Sequence, residues 1–576
     1  MHVRSVRRPA LAGSLVGALL ATGVVTFKAS AWDSTPVPAV VRHEYHCGTS
    51  DKPEPKLQGQ VPKEDQTSGR AKQGYNCGLQ LVGFTALDKT VGSTDTRPNA
   101  NANMAWAGDC AFVSGSAASL FNPPVVSKPA SGTPGGPGVA VIDVHQPSSP
   151  KMVRVLRQPG AAATSETLGA RTTPDGRAIL VVGQYGNDPA SDPKPMDVYV
   201  YDTKRPCATL EHVPNPKNPN LATYYWPKNI HNLTVSPDLN YVYATIPVQA
   251  IDLSGMWAHL GQPHAADHIR YVGNLNDSIN AAQEGVGPQN DLVPAGANPA
   301  HPQVADNSHE AWVNDNRTVY IGGQTPTGEI LTIVDVSKWL KGTGPATIVS
   351  QTGGRGHSVR TATISGHHYL LHSEESVFGT AYGCVPQAAN PFAGAAQPWL
   401  TNIDDPAHPV LVSQMGLEIN EPGNCQAQLN DGENDSVHYH DVDDATNTHF
   451  VMASMWNAGI RVFDVRNPKT PTEVAYFNPA DIAPPGQPSQ LDHVWGHVRY
   501  DAKTGNIWFA SALGGFFVVR LESQVRNQLA LPGAPVSARK DLGWPGTKGI
   551  AFVKPAYGYL DITPFYCTLA RFAPRP

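Results

Sequence analysis

Apolar positions along this chain fall into short runs bounded by clusters of Asn, Asp, Gly and Pro, with no sustained helical period. One pattern recurs: an alternation rich in Val, Ile, Tyr and Phe that ends in Asp and passes into a turn, often with Pro. It stands in GVAVIDVHQPSSP (138–150), MDVYVYDTKRP (196–206), EILTIVDVSKW (329–339), QPWLTNIDDPAHP (397–409) and GIRVFDVRNPKTP (459–471). A truncated form is VQAIDLSG (248–255), and the last is GGFFVVRLES (514–523). Runs of this kind predict strands, and the polar clusters predict the turns between them. Upstream of the pattern lies a pair of runs around a turn, as in TTPDGRAILVVG (172–183), LTVSPDLNYVYAT (233–245) and VRYDAKTGNIWFAS (498–511). Downstream comes a short apolar run, such as MVRVL (152–156) or EVAYF (473–477).

Each unit therefore predicts four strands, and a four-stranded unit cannot bury both of its faces alone. Seven such units favour radial repetition over two stacked sandwiches: an all-β fold, a single seven-bladed β-propeller over residues 77–525. The run LQLVGF (79–84) has the character of a fourth strand with no three before it, while the last unit lacks a fourth after Val519. Pairing the two would close the ring with an N-terminal strand and remove two exposed sheet edges.

Composition fits this picture. Charged residues are 16% of the chain, whereas Gly and Pro number 53 and 52, a balance suited to many short strands and tight turns. A net charge of −6 offers no basic field for nucleic acid. At the start, Arg4, Arg7 and Arg8 precede the apolar run LAGSLVGALLATGVV and Ala29-Ser30-Ala31. That is the layout of a secretory signal peptide over residues 1–31, cleaved after Ala31, which places the mature protein outside the cell or in its envelope. No later run is long and apolar enough to span a membrane. Residues 32–76 are polar and without period, an extended arm; residues 526–576 form a C-terminal extension expected to pack on the propeller.

All seven cysteines follow the leader, where disulfides are permitted, and no Cys-x-x-Cys occurs. Loops closed within neighbouring predicted strands suggest Cys384 with Cys425 and Cys77 with Cys110; Cys47 with Cys567 would then tie the two ends, leaving Cys207 free. Sequons at Asn232, Asn276, Asn316 and Asn434 are a weak signal at this length. There is no Gly-x-Ser-x-Gly elbow, Walker loop, Rossmann fingerprint or His-Glu-x-x-His helix, so the serine hydrolase, NTPase, nicotinamide dehydrogenase and zincin readings fall away.

The third-strand pattern, above all VAVIDVHQPSSP and IRVFDVRNPKTP, resembles the LVIVD-repeat family of extracellular β-propeller proteins. The resemblance covers roughly residues 77–525. It implies the propeller fold and an exported location, and supplies no reaction and no catalytic residues. MDVYVYD lacks the Pro-x-x-Pro continuation, and VQAIDLSG is truncated there.

Candidate chemistry lies in histidines at or just before the first strand of successive units: His231, His309, His357, His438 with His440, and His493 with His497. The innermost strands of a propeller line its channel, so equivalent positions converge on the axis. Neutral imidazoles meeting there suit a transition metal (copper, iron or zinc), with His231, His309, His357, His438, His440 and His497 as ligands. His438 and His440 lie two apart and share a strand face, a chelating arrangement. The alternative is that repeated blades reuse a histidine for packing and hydrogen bonding. His309 stands six residues before Asp315 but His357 eight before Ser365, which places some rings in different layers. Glu310, Glu374 and Asp441 are candidate general bases or ligand supports. The loop NDGENDS (430–436) is rich in oxygen donors for calcium but lacks EF-hand spacing. Two functions stay open: a metal-dependent oxidase or oxygenase of a small substrate, or a non-catalytic extracellular scaffold for a protein or carbohydrate partner.

Overall fold

The computed structural model describes residues 41–87, 101–115, 138–162, 164–185, 193–281, 307–325, 328–353, 356–373, 397–431, 435–481 and 492–531. The expected signal peptide, Glu374, Cys384, Cys567, Asn434 and the middle of the calcium-candidate loop lie outside them, as does the extension beyond 531.

Seven antiparallel sheets form a β-propeller. Blade 1 comprises Asn101–Ala107, Cys110–Gly115, Val139–Asp143 and Lys151–Leu156. Blade 2 has Leu168–Thr172, Arg177–Gly183 and Lys194–Asp202, its outer position shared by Glu211–His212 and Tyr224–Trp226. Blades 3, 4 and 5 begin with Leu233–Val235, Asn307–Val313 and Val359–Ile364, and each runs through four strands in order. Blade 6 is His440–Val442, Phe450–Ser454, Ile460–Asp464 and Thr472–Asn478. Blade 7 is Arg499–Asp501, Asn506–Ala510 and Phe516–Leu521, completed by Leu79–Thr85 from the N-terminal side. The closing strand pairs antiparallel with the third, Leu79 opposite Leu521 and Thr85 opposite Phe516, so the ring is shut by chain segments far apart in sequence. First strands of successive blades contact one another from blade 1 round to blade 7, and the second strand of blade 7 meets the first strand of blade 1.

The third-strand motif has a physical cause. Blades pack face to face, so both faces of these strands are covered; in VAVID and IRVFD every residue but the Asp is buried. That is why they read as continuous apolar runs. The terminal carboxylate accepts the backbone N–H two residues on: His145 to Asp143 (3.0 Å), Lys204 to Asp202 (3.0 Å), Ser254 to Asp252 (2.8 Å), Ser337 to Asp335 (2.9 Å) and Arg466 to Asp464 (3.0 Å). Each Asp thus nucleates the turn that leaves the strand, a role only a short acceptor side chain fills.

The arm carries local order that its polar sequence hides. Lys63–Ser68 is helical, and Tyr75–Cys77 adds a fifth strand to blade 6. A buried ionic cluster fastens it: Arg461 meets Glu54 and, at 3.3 Å, Glu473, while Tyr45 and Gln58 donate to the same Glu473 carboxylate. The disulfides differ from the expected pairing. Cys47 joins Cys77, and Cys110 joins Cys207, so Cys77 does not pair with Cys110, Cys47 does not pair with Cys567, and Cys207 is not free. The reason lies in blade packing. Cys110 opens the second strand of blade 1, while Cys207 sits in the outer connection of blade 2, adjacent in space though 97 residues on.

Candidate metal centre

The segments that enter the first strands share one backbone pattern. His231 N–H donates to Thr245 and Thr245 N–H to Asn232; His357 and Ser373 repeat this with Ser358, and His438 and Ser454 with Tyr439. In blade 2, Gly183 N–H donates to Thr167, which makes Glu166 the equivalent of the histidines. In blade 4 the ladder slips between Ser308 and Glu310, leaving His309 on a bulge that turns its ring inward. Five consecutive blades thereby deliver Glu166, His231, His309, His357 and His438 to one level of the axis, all buried.

Their atoms converge. Glu166 Oε2 lies 3.5 Å from His231 Nε2, 3.2 Å from His309 Nε2 and 3.9 Å from His438 Nε2. Ligand atoms of Glu166, His231 and His309 fall within 4.8 Å of one another, as do those of His309, His357 and His438. The His309 and His357 rings stack at 3.4 Å between centroids, so they share a layer. The unequal spacing to their turns has another source. Blade 5 makes a two-residue turn after a first strand ending at Ile364, whereas blade 4 ends its strand at Val313 and uses a longer loop.

Hydrogen bonds set the tautomers. His357 Nδ1 lies 3.2 Å from the His438 carbonyl, and His438 Nδ1 contacts the Trp495 carbonyl. A carbonyl only accepts, so Nδ1 carries the proton in both rings and Nε2 presents its lone pair, the form a metal binds. Burial alone would raise the Glu166 carboxyl, but the neighbouring His231 and His438, with hydrogen bonds from His231 and His309, hold it well below the usual range. Burial, then the His357 and His231 rings, pushes His309 well below ordinary histidine, and burial takes His357 down to about 4. His309 and His357 are thus neutral imidazoles beside an ionised Glu166.

Other candidates sit elsewhere. His440 Nε2 is 3.0 Å from Ser358 Oγ between blades 5 and 6, outside both convergent groups. His497 lies against Arg360, Nδ1 to Nη2 2.9 Å, and its Nε2 is 3.6 Å from Glu310 Oε1. Glu310 is held by Arg360 (2.6 Å) and by Val359 N–H (2.9 Å). Asp441 is pushed up to about 6 by burial, against the pull of Arg360. Asn232, a sequon residue, is buried and donates to Tyr439. Asp431, in the calcium-candidate loop, accepts from Lys63 N–H at 2.9 Å and from Gln60, binding the arm. The remaining clusters of metal-ligating type include Cys47 and Cys77, or Cys207, whose sulfurs are committed to disulfides.

Glu166, Tyr439 and Arg360 carry much of the site and drew no role from the sequence. Glu166 could have been found by offset: it stands two residues before Leu168, the first residue of its strand, as His231 does before Leu233 and His357 before Val359. No protein-family model matches the chain, and no curated protein matches it.

Proposed function

We propose that this chain is an exported β-propeller of the LVIVD-repeat type that binds one transition-metal ion on its axis and uses it to oxidise a small substrate. The observation that carries the reading is the approach of three Nε2 atoms, from three different blades, to one oxygen of Glu166. Ligands at about 2.1 Å from a metal, subtending about 90–135°, stand about 3.0–3.9 Å apart. The observed 3.2–3.9 Å falls in that span. His357 adds a fourth imidazole beside His309.

Nitrogen and carboxylate donors without thiolate or thioether suit iron(II), copper(II) or zinc. Such an ion supplies Lewis acidity and, if redox-active, activation of dioxygen. The protein's own part is to hold neutral imidazoles in fixed orientation, with the Trp495 and His438 carbonyls setting their tautomers. Two disulfides support an oxidising, extracellular or envelope setting. No helix among the described residues is long and apolar enough to cross a membrane.

Elemental analysis of the purified mature protein tests this. About one equivalent of iron or copper per chain is expected, resistant to dialysis; zinc alone would keep the metal site and overturn the oxidation, since it has no redox chemistry. Absence of bound metal after supplementation with all three would sink it and leave the scaffold reading, with the axial histidines as packing.

A further inference from the structure

We propose that Tyr439 is the positioning residue of the axial centre: its phenol holds the Glu166 carboxylate and its ring closes the channel beneath the histidines. This rests on the metal reading above. From blade 6, the Tyr439 hydroxyl donates to Glu166 Oε2 at 2.9 Å and accepts from the Asn232 amide at 3.2 Å. An amide NH₂ only donates, so the single phenolic proton is committed to Glu166. The ring centroid lies 4.5 Å from that of His438, 4.0 Å from His497, 5.9 Å from His309 and 6.1 Å from His357. Side chains of blades 2, 3, 4, 5 and 7 thus all meet one residue of blade 6. Only a side chain lying across the axis can do this. It is fully buried.

Two consequences follow from chemistry. Oε2 is the oxygen that the three Nε2 atoms face, and the phenol fixes its direction and charge. Without that bond the carboxylate can rotate about its last torsion and offer either oxygen. Losing such an outer partner typically weakens metal binding by about 10–100-fold. The ring also separates the axial histidines from the Arg360, Glu310 and His497 group on its other side.

Cobalt(II), added to metal-stripped full-length mature protein, gives both an affinity and a visible spectrum. Tyr439→Phe keeps the ring and removes only the hydroxyl. Expected are one equivalent of cobalt, affinity about 10–100-fold weaker in chelator competition, and a shifted d–d spectrum. Glu166→Gln combined with Tyr439→Phe should be no weaker than Glu166→Gln alone, because both act on one bond. Asn232→Ala, a second variant, removes the donor that orients the phenol and should shift affinity the same way by less. Wild-type affinity and spectrum in Tyr439→Phe, or in Asn232→Ala should the former not fold, overturn the role of Tyr439. A wild type that takes up no cobalt overturns the metal reading itself, and the inference with it.

Discussion

His438 and His440 stand two positions apart, yet the entry to the first strand of blade 6 gives their rings different surroundings. His438 lies before the regular pairing begins, its backbone N–H donating to Ser454, and it points at Glu166. His440 is the first paired residue, opposite Ala453, and its ring turns toward blade 5 and Ser358. The shared-face argument holds for a regular strand and fails where the chain is still entering it. His438→Ala should therefore cost at least about 100-fold in metal affinity, whereas His440→Ala should keep full stoichiometry and lose about 1–3 kcal/mol of stability. Chelator competition and denaturant titration on the two variants separate these effects; equal metal loss in both would contradict the assignment. His493 makes a different point. It is buried beside Trp456, its Nδ1 has no hydrogen-bond partner among the described residues, and burial drops it to about 3. The unfolded chain takes up this proton near the ordinary histidine value, the folded chain only near 3. The native state is therefore favoured in full above about pH 6.5, and that contribution, at most about 5 kcal/mol, is lost as pH falls toward 3. His493→Leu should flatten the acid limb of Tm against pH across that window; a parallel limb would show that His493 is not its source.

At the scale of elements, legibility divides by how local the cause is. The third strands were readable because burial on both faces and a turn-making Asp are written into five consecutive residues, as in VAVID and IRVFD. The fourth strand of blade 7 was readable as an orphan run, LQLVGF, whose partner had to lie at the far end of the chain. The histidines were readable as a recurring residue at a recurring place. Glu166 was not, because attention to one residue type passes over a carboxylate that occupies the same register position. The layer of His309 was hidden by a bulge, and bulges shift register without a marker in composition. Disulfide partners were hidden for a related reason: Cys110 and Cys207 meet through packing of neighbouring blades, a contact that strand proximity within one unit does not contain. The arm read as unpatterned polar chain, since its fastening is ionic and side-chain specific, centred on Arg461.

For the whole molecule, the centre depends on the ring being closed. Glu166, His231, His309, His357 and His438 come from five separate blades, and no blade alone holds more than one of them. Any opening of the ring would spread the ligands before it unfolded a sheet. Two devices oppose this: the closing strand Leu79–Thr85, whose Leu79 packs with Val474, Val519, Leu521 and Val525, and the Cys110–Cys207 bond that ties blade 1 to blade 2. They act differently. The disulfide constrains the unfolded chain, and for a loop of 97 residues the chain-entropy estimate is about 4–5 kcal/mol. The strand shapes the native ring. Cys110→Ser with Cys207→Ser should thus lower Tm while leaving metal affinity within about threefold of wild type, because the blades still meet in the native state. Leu79→Asp buries an unpaired charge at the seam between blades 6 and 7, beside the blade that bears His438, and should lower both Tm and metal content. Calorimetry with elemental analysis on the two variants distinguishes the roles. Full metal retention in a folded Leu79→Asp protein would mean that five blades hold the ligand set without ring closure.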